Sequence, residues 1–202
     1  MWLGRALLYA ARPFIYMLMR VRVVGRENFP PIGTPLVLCC NHISNWDPII
    51  LEVTNMKRHV HFMAKAELFR NPIIAWFLEK QFGAFRVHRG KGDTDAIAEA
   101  RKLVQSGKLM GIFPEGTRSK TGEMLRPKSG AAVVVSQTEA WVIPTAVVTK
   151  HQKARLFRPV TVVYGKPLSP EELHLADKEH PDIRYATRRI MSAIAELIET
   201  HG

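Results

Sequence analysis

Apolar and polar positions repeat along this chain with two periods, and the periods take turns. Arg and Val alternate around residues 20–25, which predicts an edge strand with one face toward solvent. Residues 36–40 are an unbroken apolar run, Leu-Val-Leu-Cys-Cys, as expected of a strand buried on both faces. Strands are also predicted at 59–63, 85–87, 109–113, 141–148 and 160–164. Helices are predicted between and after them. Asp47-Pro48 and Asn71-Pro72 each read as a cap followed by proline in the first turn, the second opening a helix over 73–81. An Ala-rich stretch at 93–106 stops before Gly107, 129–138 follows, and Ser169-Pro170-Glu171-Glu172 has the form of a capping box. Residues 183–200 close the chain with an amphipathic pattern. No repeat, low-complexity tract or linker interrupts this alternation. The expectation is one α/β domain over residues 21–202, with a largely parallel or mixed central sheet flanked by helices.

The first twenty residues break the pattern. Residues 2–19 are rich in Leu, Ala, Phe, Tyr and Met, but Arg5, Arg12 and Pro13 interrupt them. The uninterrupted pieces are far shorter than the ~20 residues a bilayer-spanning helix needs, and no small-residue cleavage site of a signal peptide follows. Arg5 and Arg12 are seven apart and share one helical face. Residues 1–20 therefore read as an amphipathic membrane-surface helix, kinked at Pro13, with its arginines toward lipid phosphates. A helix packed on the protein's own core fits the same pattern.

Composition narrows the partners. Of 202 residues, 47% are apolar and 23% charged, which supports a folded core rather than disorder. Lys+Arg number 29 against 18 Asp+Glu, a formal +11. That balance favours polyanions: nucleic acid, an anionic membrane surface or phosphorylated substrates. The two cysteines, Cys39 and Cys40, are adjacent and point to opposite faces of a strand, so no disulfide joins them and a reducing compartment is expected. No metal-ligand spacing appears.

Two segments carry candidate chemistry because each follows a buried strand directly, where open α/β sheets place their sites. In Asn41-His42-Ile43-Ser44-Asn45-Trp46-Asp47-Pro48, a turn after the strand can return Asp47 to His42. A carboxylate there would fix the imidazole tautomer and stabilise imidazolium, making His42 a general base. Asp47 could equally serve only as a helix cap. No G-x-S-x-G elbow exists, and Ser44 is too close in sequence to bond the His42 ring easily, so a base acting on a substrate hydroxyl fits better than a serine nucleophile. In Phe113-Pro114-Glu115-Gly116-Thr117-Arg118-Ser119, a tight turn presents Arg118 with backbone N–H groups, a combination able to hold phosphate. Lys128 and Gly130 follow at a helix start. A third segment, Gly83 to Lys91, concentrates Arg86, His88, Arg89 and Lys91.

Taken together these segments resemble the PlsC-type 1-acyl-sn-glycerol-3-phosphate acyltransferase family. Its His-x4-Asp motif stands as His42…Asp47, its glycine-to-arginine motif as Gly83 to Arg89, its Pro-Glu-Gly-Thr-Arg-Ser motif as Pro114 to Ser119, and its apolar-proline motif as Val142-Ile143-Pro144. The resemblance implies a lysophosphatidic acid acyltransferase in which His42 deprotonates the acceptor hydroxyl and Asp47 orients His42. It implies that Arg89 and Arg118 bind the acceptor phosphate, that Glu115, Gly116 and Thr117 shape that pocket with Lys128 beside it, and that Ile143 and Pro144 form an acyl or acceptor wall. Lys65 would be a further cation near the site. Arg86 departs from the motif, which leaves open whether Arg86 or Arg89 contacts phosphate. No metal or redox cofactor is implied. The acyl donor, acyl-CoA or acyl carrier protein, is a substrate, and the product is phosphatidic acid in phospholipid biosynthesis. The expected location is the cytoplasmic face of the cell membrane, peripheral or monotopic. Glycerol 3-phosphate or another lysophospholipid is the alternative acceptor. A basic nucleic-acid-binding module is the alternative of a different class, but no nucleic acid is expected as partner, because no helix-turn-helix, RRM or zinc pattern is visible.

Overall fold

The computed structural model describes residues 2–55, 58–76, 78–79, 83–87, 94–151 and 153–202. Among the described residues seven strands form one sheet: β1 (Arg22–Val24), β2 (Leu36–Cys40), β3 (Val60–Lys65), β4 (Phe85–Val87), β5 (Leu109–Ile112), β6 (Trp141–Val148) and β7 (Thr161–Tyr164), in the order β1-β7-β6-β2-β5-β3-β4. Every neighbouring pair is parallel except β6–β7, so the sheet is mixed as expected. β1 stands at one edge, which suits its alternation of Arg with Val. The unbroken apolar strand β2 lies inside, between β5 and β6, where both faces need covering.

The strand period of two divides the core. Val37 and Cys39 of β2 pack with Met110, Ile112 and Val142 under α4 (Thr94–Gln105), α5 (Gly130–Thr138) and α6 (Ile183–His201). Leu36, Leu38 and Cys40 face the other way and pack with Ile143, Ile50 and Leu51, beneath α1 (Trp2–Met19) and α2 (Asp47–Thr54). Adjacent Cys39 and Cys40 thus serve opposite layers, and both are free thiols. Among the described residues α3 (Pro72–Trp76) covers the β4 side, where Phe69, Ala75 and Ala84 form a small separate cluster. α6 is opened by Asp182, whose Oδ1 accepts the Tyr185 N–H at 2.8 Å. Gly107, at φ 76, ends α4 in the left-handed region that glycine adopts without strain.

The structure also departs from the sequence reading. The Ser169–Glu172 box forms reciprocally: Glu172 Oε2 accepts the Ser169 N–H at 2.8 Å and Ser169 Oγ accepts the Glu172 N–H at 3.2 Å. It closes a turn rather than opening a helix, because His174 takes a left-handed φ of 56 while Leu173 and Leu175 on either side are drawn into the core. The helix after Asn71 is α-helical over Pro72–Trp76 and helical again, as π-helix, at 78–79, with residues 77 and 80–82 outside the described residues. Trp46 rather than Asp47 occupies the cap position of α2, since the Asp47 carboxylate is committed backward along the chain.

α1 runs unbroken from Trp2 to Met19 through Pro13. One face docks on the domain, with Ile15 and Met19 buried and Leu8, Ala11 and Tyr16 packed beside them. Phe14 at 62% exposure and Met17 at 67% stand on the opposite face with Leu7, so the helix satisfies the packing expectation on one side and leaves an apolar stripe on the other. Arg12 does not lie in that stripe. Its guanidinium sits 5.0 Å over the Tyr16 ring, on the docked flank. Among the described residues no helix is long and apolar enough to cross a membrane.

Candidate active site

The chain leaving β2 is clamped before it turns. Asn41, buried, donates from Nδ2 to the Val147 carbonyl at 3.0 Å and accepts the Val147 N–H at 2.8 Å, which ties the end of β2 to β6. The His42 N–H donates to Glu115 Oε1 at 2.9 Å, and the His42 carbonyl accepts the Ser119 N–H at 2.8 Å. Held at both backbone groups, His42 is followed by a turn that returns Asp47. Asp47 Oδ2 lies 2.8 Å from His42 Nδ1 and accepts the N–H groups of Ile43 at 2.8 Å and Ser44 at 2.7 Å. A carboxylate oxygen can only accept, so Nδ1 carries the hydrogen and Nε2 keeps a lone pair. Asp47 is 0% exposed and the His42 side chain 16%: the acid is sealed and the base reaches the surface. The His42 ring stacks on Phe113 at 4.0 Å between centroids, and Phe113 on Phe62 at 5.4 Å.

The loop after β5 supplies the other half. Gly116 closes a turn onto the Phe113 carbonyl at φ 68, and a Cβ there would come within 3.0 Å of the Lys128 methylenes. Lys128 is fixed from its backbone, its N–H donating to the Pro114 carbonyl at 2.8 Å. Glu115 is buried, and its second oxygen accepts the Leu125 N–H at 2.9 Å. Charge-assisted bonds from one carboxylate therefore join the His42 and Leu125 backbones.

Two hollows are lined by neighbouring residues of these two loops. One, of about 350 Å³, is lined by His42, Phe113 and Lys128 and walled by apolar side chains including Met63, Ile97 and Val133. The other, of about 510 Å³, lies against Ile43 and Ser119 and among the described residues collects four cations, Arg118, Lys120, Lys153 and Arg155, and no carboxylate. A base beside an apolar groove and a cationic basin can activate a hydroxyl on a molecule with a long chain and an anionic head. Neither nearby thiol competes for that role: burial pushes Cys39 up to about 12 and raises Cys40 well above its ordinary value, so both stay protonated. Ser44 is equally occupied, its hydroxyl donating to the Ala154 carbonyl at 2.7 Å.

A family model described as Acyltransferase matches residues 20–148. A 1-acyl-sn-glycerol-3-phosphate acyltransferase of Bacillus subtilis is 36% identical over 163 residues, covering 79% of either chain. The chain belongs to the PlsC-type acyltransferase family. A 1-acyl-sn-glycerol-3-phosphate acyltransferase of Chlamydomonas reinhardtii is 33% identical to this acyltransferase over 76% of its length, and the match spans 48% of that longer protein. The crystal structure of the 1-acyl-sn-glycerophosphate acyltransferase PlsC from Thermotoga maritima superposes with a TM-score of 0.71 over 98% of this chain and 78% of that one, at 21% identity, a likeness of fold.

Within this acyltransferase the expected residues fall into three groups. His42, Asp47, Glu115, Gly116 and Lys128 come together, with Thr117 and Arg118 exposed in the adjoining cationic hollow. Ile143 and Pro144, expected as an acyl or acceptor wall, line neither of the two hollows described. Both are buried in β6, Ile143 within the core beneath α1 and α2 and Pro144 against Gly165, because β6 is covered on both faces. Arg89 lies outside the described residues, as do His88 and Lys91. Lys65 and Arg86 are placed only as backbone, Lys65 at the end of β3 and Arg86 in the middle of β4, one register step apart, and their side chains lie outside the described residues. Sequence reasoning missed Phe113 as the platform for the imidazole. The aromatic residue between the strand and Pro114 was the available signal. It also missed Lys153 and Arg155, which sit between β6 and β7 in no motif and reach the site only through the fold.

Proposed function

We propose that this acyltransferase transfers a fatty acyl group from an acyl thioester to the free hydroxyl of 1-acyl-glycerol 3-phosphate, forming phosphatidic acid. The observation that carries the reading is His42, oriented by Asp47 at 2.8 Å, in the lining of an apolar hollow and one residue along the chain from the lining of a cationic one. His42 Nε2 takes the hydroxyl proton as the oxygen attacks the thioester carbonyl. The imidazolium so formed faces the buried Asp47 carboxylate. The tetrahedral intermediate collapses, the C–S bond breaks, and the thiolate leaves with the proton from His42. Arg118 with Lys120, Lys153 and Arg155 would hold the acceptor phosphate, while Met63, Ile97 and Val133 receive an acyl chain. Positioning of the hydroxyl against the base supplies much of the rate.

The donor is acyl-CoA or acyl carrier protein, entering as a substrate. α1 would lie on the membrane surface as a peripheral anchor, residues 1–20 forming a membrane-associating segment beside the domain of residues 21–202. The support is its uncharged outer stripe of Leu7, Phe14 and Met17. The cytoplasmic face, where soluble thioesters are available, is the proposed location. Product analysis with a panel of acceptors and both thioester donors tests the reading. Phosphatidic acid from lysophosphatidic acid is expected to form fastest, and a faster reaction with glycerol 3-phosphate or another lysolipid would overturn the proposed acceptor.

A further inference from the structure

A hollow of about 500 Å³ separate from the active site lies between α1, the end of α2 and the chain leading into β2. Because Asn55 follows α2 and residues 30–32 precede β2, it opens near the strand start, opposite the end that carries His42. Among the described residues three arginines line it, Arg12, Arg26 and Arg58, against one acidic residue, Glu27. Among the described residues none of the three arginines makes a salt bridge. Arg26 instead donates to the Tyr16 hydroxyl, and Arg58 donates to the carbonyls of Pro30 and Thr34, each at 3.3 Å, and of Pro31. Arg58 is buried, and desolvation holds its pKa below the ordinary arginine value. Asn55 lines the same hollow at 7% exposure, and its amide Nδ2 has no partner among the described residues. Guanidinium groups with no ion pair among the described residues and an unused buried donor together suit an acceptor-only anion. At its rim Ile32 is 79% exposed, an apolar residue beside the charge.

We propose that this hollow is a second anion site, which takes the phosphate of an anionic phospholipid headgroup while the outer stripe of α1 meets the acyl-chain boundary. The proposal rests on reading α1 as a membrane-surface helix. Arg12 carries the link between the two, since it belongs to α1 and lines the hollow.

Vesicle binding by the full chain tests it, using phosphatidylcholine with and without phosphatidylglycerol, a lipid that is neither the proposed substrate nor the product. Wild type is expected to gain about tenfold or more in affinity from the anionic lipid, and Arg12→Gln/Arg26→Gln to lose most of that gain while binding neutral vesicles normally. Arg184→Gln/Arg188→Gln removes the same charge from exposed positions of α6 and is expected to keep it. Asn55→Asp sets a carboxylate in the hollow and is expected to act like the first pair, which preserves the test should that pair fold poorly. Equal losses in the two double variants would reduce the effect to net charge and overturn the site. Inorganic phosphate alone that raises the melting temperature of wild type but not of the hollow variant, with unchanged vesicle preference, would assign the site to soluble phosphate and overturn the lipid. Weak binding to neutral vesicles would count against α1, whereas the anionic increment decides the hollow.

Discussion

Asp47→Asn isolates the charge behind the base with little change of shape. Asp47 Oδ2 receives three donors, from His42 Nδ1, Ile43 N and Ser44 N, at 2.7 to 2.8 Å, whereas Oδ1 is buried without a partner among the described residues. An asparagine that kept its oxygen at the Oδ2 position would preserve all three bonds and put its NH₂ where Oδ1 was. An unsatisfied buried donor of that kind costs about 1–3 kcal/mol of stability. The reverse orientation would oppose donor to donor at all three contacts, so the first is favoured. The larger effect falls on the transition state. With an effective dielectric constant of ~20, a carboxylate 2.8 Å from an imidazolium contributes at most about 6 kcal/mol. Loss of most of that interaction predicts a fall in kcat of about 10³–10⁴. The assay is initial-rate acyl transfer to lysophosphatidic acid at saturating thioester, with thermal melting run in parallel. KM is expected to move less than about threefold, because neither hollow is altered. A folded variant with kcat within about tenfold of wild type would refute the role given to the carboxylate.

Gly111→Ala would place a Cβ 2.3 Å from the Phe62 ring edge, and Phe62 stacks on Phe113, which supports His42. Stability is expected to drop by about 1–3 kcal/mol and kcat to fall with it, and an unchanged melting temperature would show that Phe62 yields freely. Burial lowers the pKa of His61 from 6.5 to about 4, so the unfolded chain binds more protons between those values. Stability is therefore expected to be full above about pH 6.5 and to decline as the pH falls toward 4, and His61→Asn should flatten that slope in melting curves taken across the range. Phe14→Asp/Met17→Asp changes only exposed positions of α1, so the melting temperature should hold while binding to neutral vesicles weakens by about a hundredfold. Binding at wild-type strength would remove α1 from the membrane.

The sheet was legible because its strands are short, apolar and separated by strong helix signals: Leu36–Cys40 reads as central from its unbroken apolarity alone. The neighbouring order was not, since placing β5 between β2 and β3 depends on packing among distant segments. His42 and Asp47 were legible because they are near in sequence and directly follow a buried strand. The role of Glu115 as a brace on the His42 backbone spans 73 residues and has no local signature. Lys153 and Arg155 were invisible for the same reason, being brought to the cationic hollow by the turn between β6 and β7. Ile143 and Pro144 could not be placed from sequence because an apolar pair in a strand looks alike whether it faces a cavity or a helix. α1 was ambiguous because one helix carries a docking face and an outer apolar face together.

The imidazole is the chemical centre of this account, and His42→Ala tests it directly. Phosphatidic acid formed from lysophosphatidic acid and a labelled acyl thioester should fall by at least about 10³, with melting temperature and vesicle binding near wild type. Equal rates of product formation by the folded variant and wild type would mean that another group removes the proton.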